Sequence, residues 1–118
     1  PSGVTDGLYA AAGWRDLYER AADPVPGKFI ADYKAKFDQP ASGFAMLGYS
    51  AADTVVRALE AAGPDLTHES FIPAMETLDY MDELTGSQTT YGPDDHRGAD
   101  EVVISVVENG GWKTVAVK

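Results

Sequence analysis

Apolar residues recur at helical spacing through the first two-thirds of the chain and then give way to short β-branched runs. Phe29, Ile30, Tyr33 and Phe37 share one face of a helix predicted over Lys28–Phe37, with Lys28, Asp32 and Lys36 opposite. Asp32 precedes Lys36 by four residues, the favourable order for an ion pair. "DQPASG" (Asp38–Gly43) ends that helix. A longer pattern follows. Leu47, Ala51, Val55, Ala58, Leu59 and Ala62 form one stripe, and Ser50, Asp53, Arg57 and Glu60 form another, on a helix that begins near Phe44 and stops at Gly63-Pro64. Asp53 and Arg57 can pair across one turn. A third helix is predicted over Thr67–Leu78, with Phe71, Ile72, Met75 and Leu78 inward and Thr67 or Ser70 as N-cap. Pro73 disfavours a start much before Thr67.

The flanks read differently. "LYAAAGW" (Leu8–Trp14) is short and apolar, either a strand or a packed extended segment. "RAADPVPGK" (Arg20–Lys28) carries Pro24 and Pro26 and reads as a loop. The acidic "ETLDYMDE" (Glu76–Glu83) reads as a solvated helix end, since it lacks the spacing and central glycine of a calcium loop. "SQTTY" (Ser87–Tyr91) is a short strand, "GPDDHRG" (Gly92–Gly98) a turn and "VVISVV" (Val102–Val107) a strand. Asn109-Gly110-Gly111 supplies a tight hairpin turn into the return strand Trp112–Val117.

Composition narrows the function classes. The chain has 118 residues, 44 % of them hydrophobic, which suits a folded domain or part of a larger one. Of its 19 acidic residues 12 lie in residues 60–118, against 3 of its 9 basic ones, so the second half carries nearly all of the net charge of −10. Such a surface repels phosphate backbones and anionic lipid, which argues against nucleic-acid and membrane-surface roles. The absence of cysteine excludes disulfides, thiol catalysis and thiolate zinc sites. No stretch approaches the roughly 20 apolar residues of a membrane helix. No signal peptide is visible, and Pro-Ser-Gly-Val-Thr-Asp-Gly reads as a chain that begins in mid-protein.

Two segments invite a catalytic or metal reading. Gly48-Tyr49-Ser50-Ala51-Ala52 is one residue away from the G-x-S-x-G of a serine hydrolase, which needs a strand, a strained turn and then a helix. Helical periodicity runs unbroken through Ser50, so Ser50 reads as a solvent-facing helix residue; an α/β-hydrolase fragment with Ser50 as nucleophile stands as the alternative. Asp94-Asp95-His96 lacks further ligands at metal spacing and reads as a turn in which Asp accepts backbone hydrogen bonds. His68 falls in the first turn of a helix and reads as solvated. No metal, cofactor or catalytic residue is assigned.

In order, the pieces resemble the C-terminal third of the type I periplasmic solute-binding proteins, the receptors of ABC importers whose best-known members bind branched-chain amino acids. The most specific match is Gly48-Tyr49-Ser50-Ala51-Ala52 running into Ala58-Leu59-Glu60-Ala61-Ala62-Gly63, similar to the family's "GY-A-A" helix ending in "AL-AG". The second is Tyr91-Gly92-Pro93-Asp94-Asp95-His96-Arg97-Gly98 followed by a strand and a Gly-Trp hairpin, similar to the family's closing segment. The resemblance covers nearly the whole chain and implies an α/β fragment of that fold, three helices followed by a C-terminal β-hairpin. It implies a crossover over 1–14, helices of the first lobe over 15–80 and return strands of the second lobe over 81–118.

The implied function is non-catalytic capture of an amino acid or similar small organic solute, including aromatic acids, between two lobes. The implied location is the periplasm or the outer face of the cell membrane, with an ABC permease as partner. Phe44, five residues before Tyr49, matches a family position that lines the cleft; Tyr9 and Trp14 lie near the implied hinge and complete the ligand-binding candidates. Helix faces deprived of the sheet they should cover call for a partner, either a missing N-terminal part or a second copy of the chain. A self-associating interaction module is therefore a further alternative.

Overall fold

The computed structural model describes residues 3–118. In chain order the elements are β1 (Tyr9–Ala12), α1 (Pro24–Phe37), α2 (Gly43–Ala62), α3 (His68–Met75), β2 (Asp79–Asp82), β3 (Ser87–Gly92), β4 (Asp95–Gly98), β5 (Val103–Glu108) and β6 (Gly111–Val117). The strands form two three-stranded antiparallel sheets, β1-β5-β6 and β2-β3-β4. The fold is α/β.

Helix ends follow local chemistry. Ser42 caps α2 by accepting from the Ala45 N–H at 3.1 Å, and Gly63, at φ 78°, closes it by donating to the Leu59 carbonyl. Thr67 and Ser70 form a reciprocal capping box on α3. The start of α1 corrects the sequence reading. Arg20–Lys28 is not all loop, because the helix begins at Pro24 rather than Lys28. A proline in the first turn lacks only an N–H that the helix leaves unused. Helix α3 ends at Met75, three residues short of Leu78, and Ile72 is exposed rather than inward.

The acidic run corrects a second reading. Residues 79–82 form β2, paired with β3 from Asp79↔Thr90 to Asp82↔Ser87. Asp82 is buried, and its carboxylate accepts from the Leu84 and Thr85 N–H groups and from Ser50 Oγ. That local turn, invisible to helical periodicity, redirects the chain into β3. Likewise Gly92–Gly98 is more than a turn, because Asp95–Gly98 pairs with β3 as β4. Gly98, at φ 81°, lies where an added Cβ would meet the Tyr91 hydroxyl at 2.6 Å. The C-terminal hairpin forms as expected, with Asn109 and Gly110 both at positive φ between the paired Glu108 and Gly111.

Leu17, Ala41, Met46 and Leu84 make a core cluster, against which Phe29, Ile30, Tyr33 and Leu47 pack. The face that α2 buries differs from the apolar stripe of the sequence. Met46, Thr54 and Ala58 are buried, whereas Val55 and Leu59 are 45 % and 38 % exposed. Ser50 is half-buried against Asp82, Thr54 Oγ1 lies 2.7 Å from the Tyr80 hydroxyl, and the Arg57 guanidinium stacks 4.3 Å from the Tyr80 ring. So Ser50 is turned toward β2 rather than to solvent, whereas Arg57 and Glu60 of the same stripe stay exposed. The radius of gyration is 16.5 Å in a body of 55 × 34 × 19 Å, against about 13.5 Å for a compact domain of this length. A flattened body of this kind leaves helix faces uncovered.

Candidate functional site

The sheet β1-β5-β6 joins the helical body through two chain segments that run side by side. The first, leaving β1, is held where Ser87 Oγ donates to the Gly13 carbonyl at 3.0 Å and the Arg15 N–H donates to the Thr85 carbonyl at 2.9 Å. The second, 99–102, enters β5 and passes the first closely: a Cβ on Gly13 would stand 3.9 Å from the Glu101 carbonyl. Trp14 sits at this junction, 38 % exposed. Tyr9 opens β1 opposite Val106 and is 65 % exposed. Phe44 is the second residue of α2 and stands 86 % exposed. Large aromatics exposed to this degree have the area to cover a ligand but no wall of their own chain behind them.

A larger concavity than any at these three residues lies between α1 and α2. This groove of about 600 Å³ is lined by Val25, Phe29, Tyr33, Phe37, Tyr49 and Leu84. Its aromatics form a ladder: Phe29–Tyr49 centroids are 5.3 Å apart, Phe29–Tyr33 5.9 Å and Tyr33–Phe37 4.6 Å. Lys28, which ion-pairs with Asp32 at 2.5 Å, and Lys36 edge it. That hydrogen bond raises the Lys28 pKa. A smaller polar hollow of about 360 Å³ lies between α2 and β2, among Ser50, Asp53, Arg57, Met81, Asp82 and Glu83. Arg57 bonds Asp53 at 2.7 Å, the pair expected from the sequence, and that bond raises its pKa. Phe44, Tyr9 and Trp14 line neither hollow. The signal for the aromatic groove was present in the spacing of residues 29, 33 and 37, which reads as a packing face; only the position of Tyr49 makes it a groove.

The catalytic and metal alternatives meet specific geometry. Ser50 lies well inside α2 and hydrogen-bonds Asp82, so the strand-to-helix elbow that a hydrolase nucleophile needs is not formed there. His96 Nε2 lies 2.9 Å from Glu76 Oε1, and His68 is exposed. Asp95 is taken up by Arg97, which donates to it from the side chain and the backbone, and these bonds hold its pKa at about 2. Among the described residues no group of three or more His, Asp or Glu is placed to hold a metal ion, and no helix is long and apolar enough to cross a membrane.

The chain belongs to the periplasmic binding protein family, whose model matches residues 1–111. Its backbone is similar to solved solute-binding proteins of ABC transporters. A fatty acid ABC transporter substrate-binding protein from Thermomonospora curvata matches at a TM-score of 0.75 and 26 % identity, over 94 % of this chain and 30 % of its own. A leucine-binding protein from Thermotoga maritima matches at 0.69 and 24 %, over 98 % and 31 %. An ABC transporter substrate-binding protein from Desulfitobacterium hafniense, in complex with leucine, matches at 0.65 and 22 %, over 94 % and 32 %. The chain thus spans about 30 % of the length of these relatives. No curated protein sequence matches it. Solute-binding proteins of this family are not enzymes.

Proposed function

We propose that this chain supplies one side of the cleft and part of the hinge of an extracytoplasmic receptor that delivers an amino acid or similar small organic acid to an ABC permease. The supporting observation is the family match over residues 1–111, joined to the paired crossover segments at Gly13 and Glu101. Two adjacent strands of chain between a sheet and a helical body form a hinge about which such bodies can close. In this reading β1 and the residues before it are a crossover, and α1–α3 belong to the first lobe. Of the strands that follow α3, β5 and β6 return to the second lobe, while β2-β3-β4 stay with the helices. Phe44, Tyr9 and Trp14 provide apolar contact to the solute, which suits a site that is mostly apolar with a few polar anchors. The exposed stripe of Val55, Val56 and Leu59 meets the remainder of the first lobe or a second copy of the chain.

Isothermal titration of the longest natural protein carrying this chain, against amino acids, fatty acids and aromatic acids, tests the proposal. Saturable one-to-one heat with one of these solutes, weakened at least several-fold by Phe44→Ala, is the expected result. Absence of binding across the panel counts against it. Binding that is indifferent to Phe44→Ala removes Phe44 from the cleft.

A further inference from the structure

Among the described residues one side-chain polar atom is shut away from solvent without a hydrogen-bond partner, and it belongs to a cation: Arg15 Nε. A buried charged donor left unpaired is costly, so such an atom asks for an explanation. Its surroundings supply one. Gly86, at φ 73°, faces two guanidinium-bearing side chains, since a Cβ there would stand 2.5 Å from Arg20 Nη1 and 3.0 Å from Arg15 Cδ. A glycine therefore clears the space in which both arginines lie. Arg20 is fully engaged: Nε donates to Asp23 at 3.2 Å, Nη1 to the Leu84 carbonyl at 3.1 Å and Nη2 to the Glu83 carbonyl. Arg15 has no such partner among the described residues, in a chain with 19 acidic residues to 9 basic ones. One positive charge of the pair is balanced and the other is not.

We infer that Arg15 is a carboxylate-binding residue whose partner comes from outside the fold of this chain. The guanidinium is a planar fork that matches two carboxylate oxygens, and with Nε closed off it is the edge carrying the two Nη groups that a carboxylate from outside would meet. The backbone of Arg15 is pinned to Thr85 directly after Trp14, so the fork is anchored at the crossover junction. This position favours the carboxylate of the captured solute as the source, which rests on the solute-binding reading. A carboxylate side chain of another segment is the second source of the same chemistry.

Arginine Nε–Hε cross-peaks in ¹H–¹⁵N spectra of the full 118-residue chain read the site directly. The Arg15 peak is identified by its loss in Arg15→Lys. Sodium acetate, added against sodium chloride at constant ionic strength, is expected to shift it saturably and at least threefold more than the peaks of the other three arginines. Acetamide leaves it in place. A peak that stays put in acetate, or moves only in step with the others, overturns the inference. Leucine and leucinamide then separate the sources. Saturation by leucine at a concentration at least tenfold below that of acetate, with no response to leucinamide, supports the solute. Saturation by acetate with leucine no tighter retains the carboxylate site, overturns the solute as its source, and leaves the solute-binding reading to the titration of the longer protein.

Discussion

Glu19 accepts both the backbone N–H and the hydroxyl of Thr114, at 2.8 and 2.7 Å, across 95 residues of chain. Glu19 lies in the segment that leads to α1, and Thr114 lies on β6, where the pairing with β5 shifts register between Ile104 and Ser105. One carboxylate thus covers part of a sheet edge and ties the two bodies of the molecule together. Glu19→Ala is expected to lower stability by about 1–2 kcal/mol, since two hydrogen bonds to a charged but exposed acceptor are lost. Thr114→Val removes only the hydroxyl and is expected to cost about half as much. Urea unfolding of the three proteins checks this; equal midpoints would show that the tie contributes nothing.

Asp82 is the polar centre of the turn between β2 and β3. Its buried carboxylate holds the Leu84 and Thr85 N–H groups at 2.8 and 3.1 Å and receives the Ser50 hydroxyl. Asp82→Ala leaves these donors without an acceptor and is expected to cost about 2–4 kcal/mol. Ser50→Ala removes a single donor and is expected to cost about 1 kcal/mol or less beyond any loss at the carboxylate. Circular dichroism melts in urea rank the two. The reverse order would mean that Ser50, not Asp82, organises the contact.

The Asp95 carboxyl, held at about 2 by the hydrogen bonds from Arg97, sets a pH dependence whose sign follows from linkage. A depressed carboxyl pKa stabilises the folded state above the unfolded value, about 3.9, and the contribution disappears as pH falls through about 2. Carbon-detected titration of Asp carboxyls is expected to place Asp95 near 2 and, in Arg97→Gln, to move it up toward the ordinary range. An Asp95 that titrates near 4 in the unaltered protein contradicts the pairing.

The two faces of α2 give a contrast in stability. Met46 is fully buried in the cluster with Leu17, Ala41 and Leu84, so Met46→Ala is expected to cost about 2–5 kcal/mol. Val55 and Leu59 are exposed, and Val55→Gln with Leu59→Gln should change the stability of the isolated chain by no more than about 0.5 kcal/mol each. A large loss from the second pair, measured on the monomeric chain, would place that stripe in the core.

Local chemistry was legible in the sequence at several places where the signal and its target lie within a few residues, though not at the Asp82 turn or the Pro24 helix start. The Thr67 cap, the stop at Gly63, the Asp53–Arg57 pair and the two-residue turn at Asn109-Gly110 all belong to this group. The order of motifs also carried the family, since the resemblance of Gly48–Gly63 and Tyr91–Gly98 is a property of the string itself. The candidate site was legible only as separate aromatics. Phe44, Tyr9 and Trp14 can be named from the sequence, but the groove between α1 and α2 needs Phe29 and Tyr49 brought to 5.3 Å across two helices.

The sequence alone determined the central turns of the three helices and the final hairpin, though not the start of α1 or the end of α3, because periodicity, caps and turn residues act over one or two turns of chain. Tertiary structure alone decided which side of α2 is covered. Periodicity marks a polar and an apolar stripe but is silent on what packs across them. The Asp82 turn made β2 the neighbour of the polar stripe, and Ser50 and Thr54 turned inward because Asp82 and Tyr80 satisfy their hydroxyls. It likewise set Arg15 beside Arg20 over Gly86, since residues 71 positions apart meet only when the chain folds back on its own crossover.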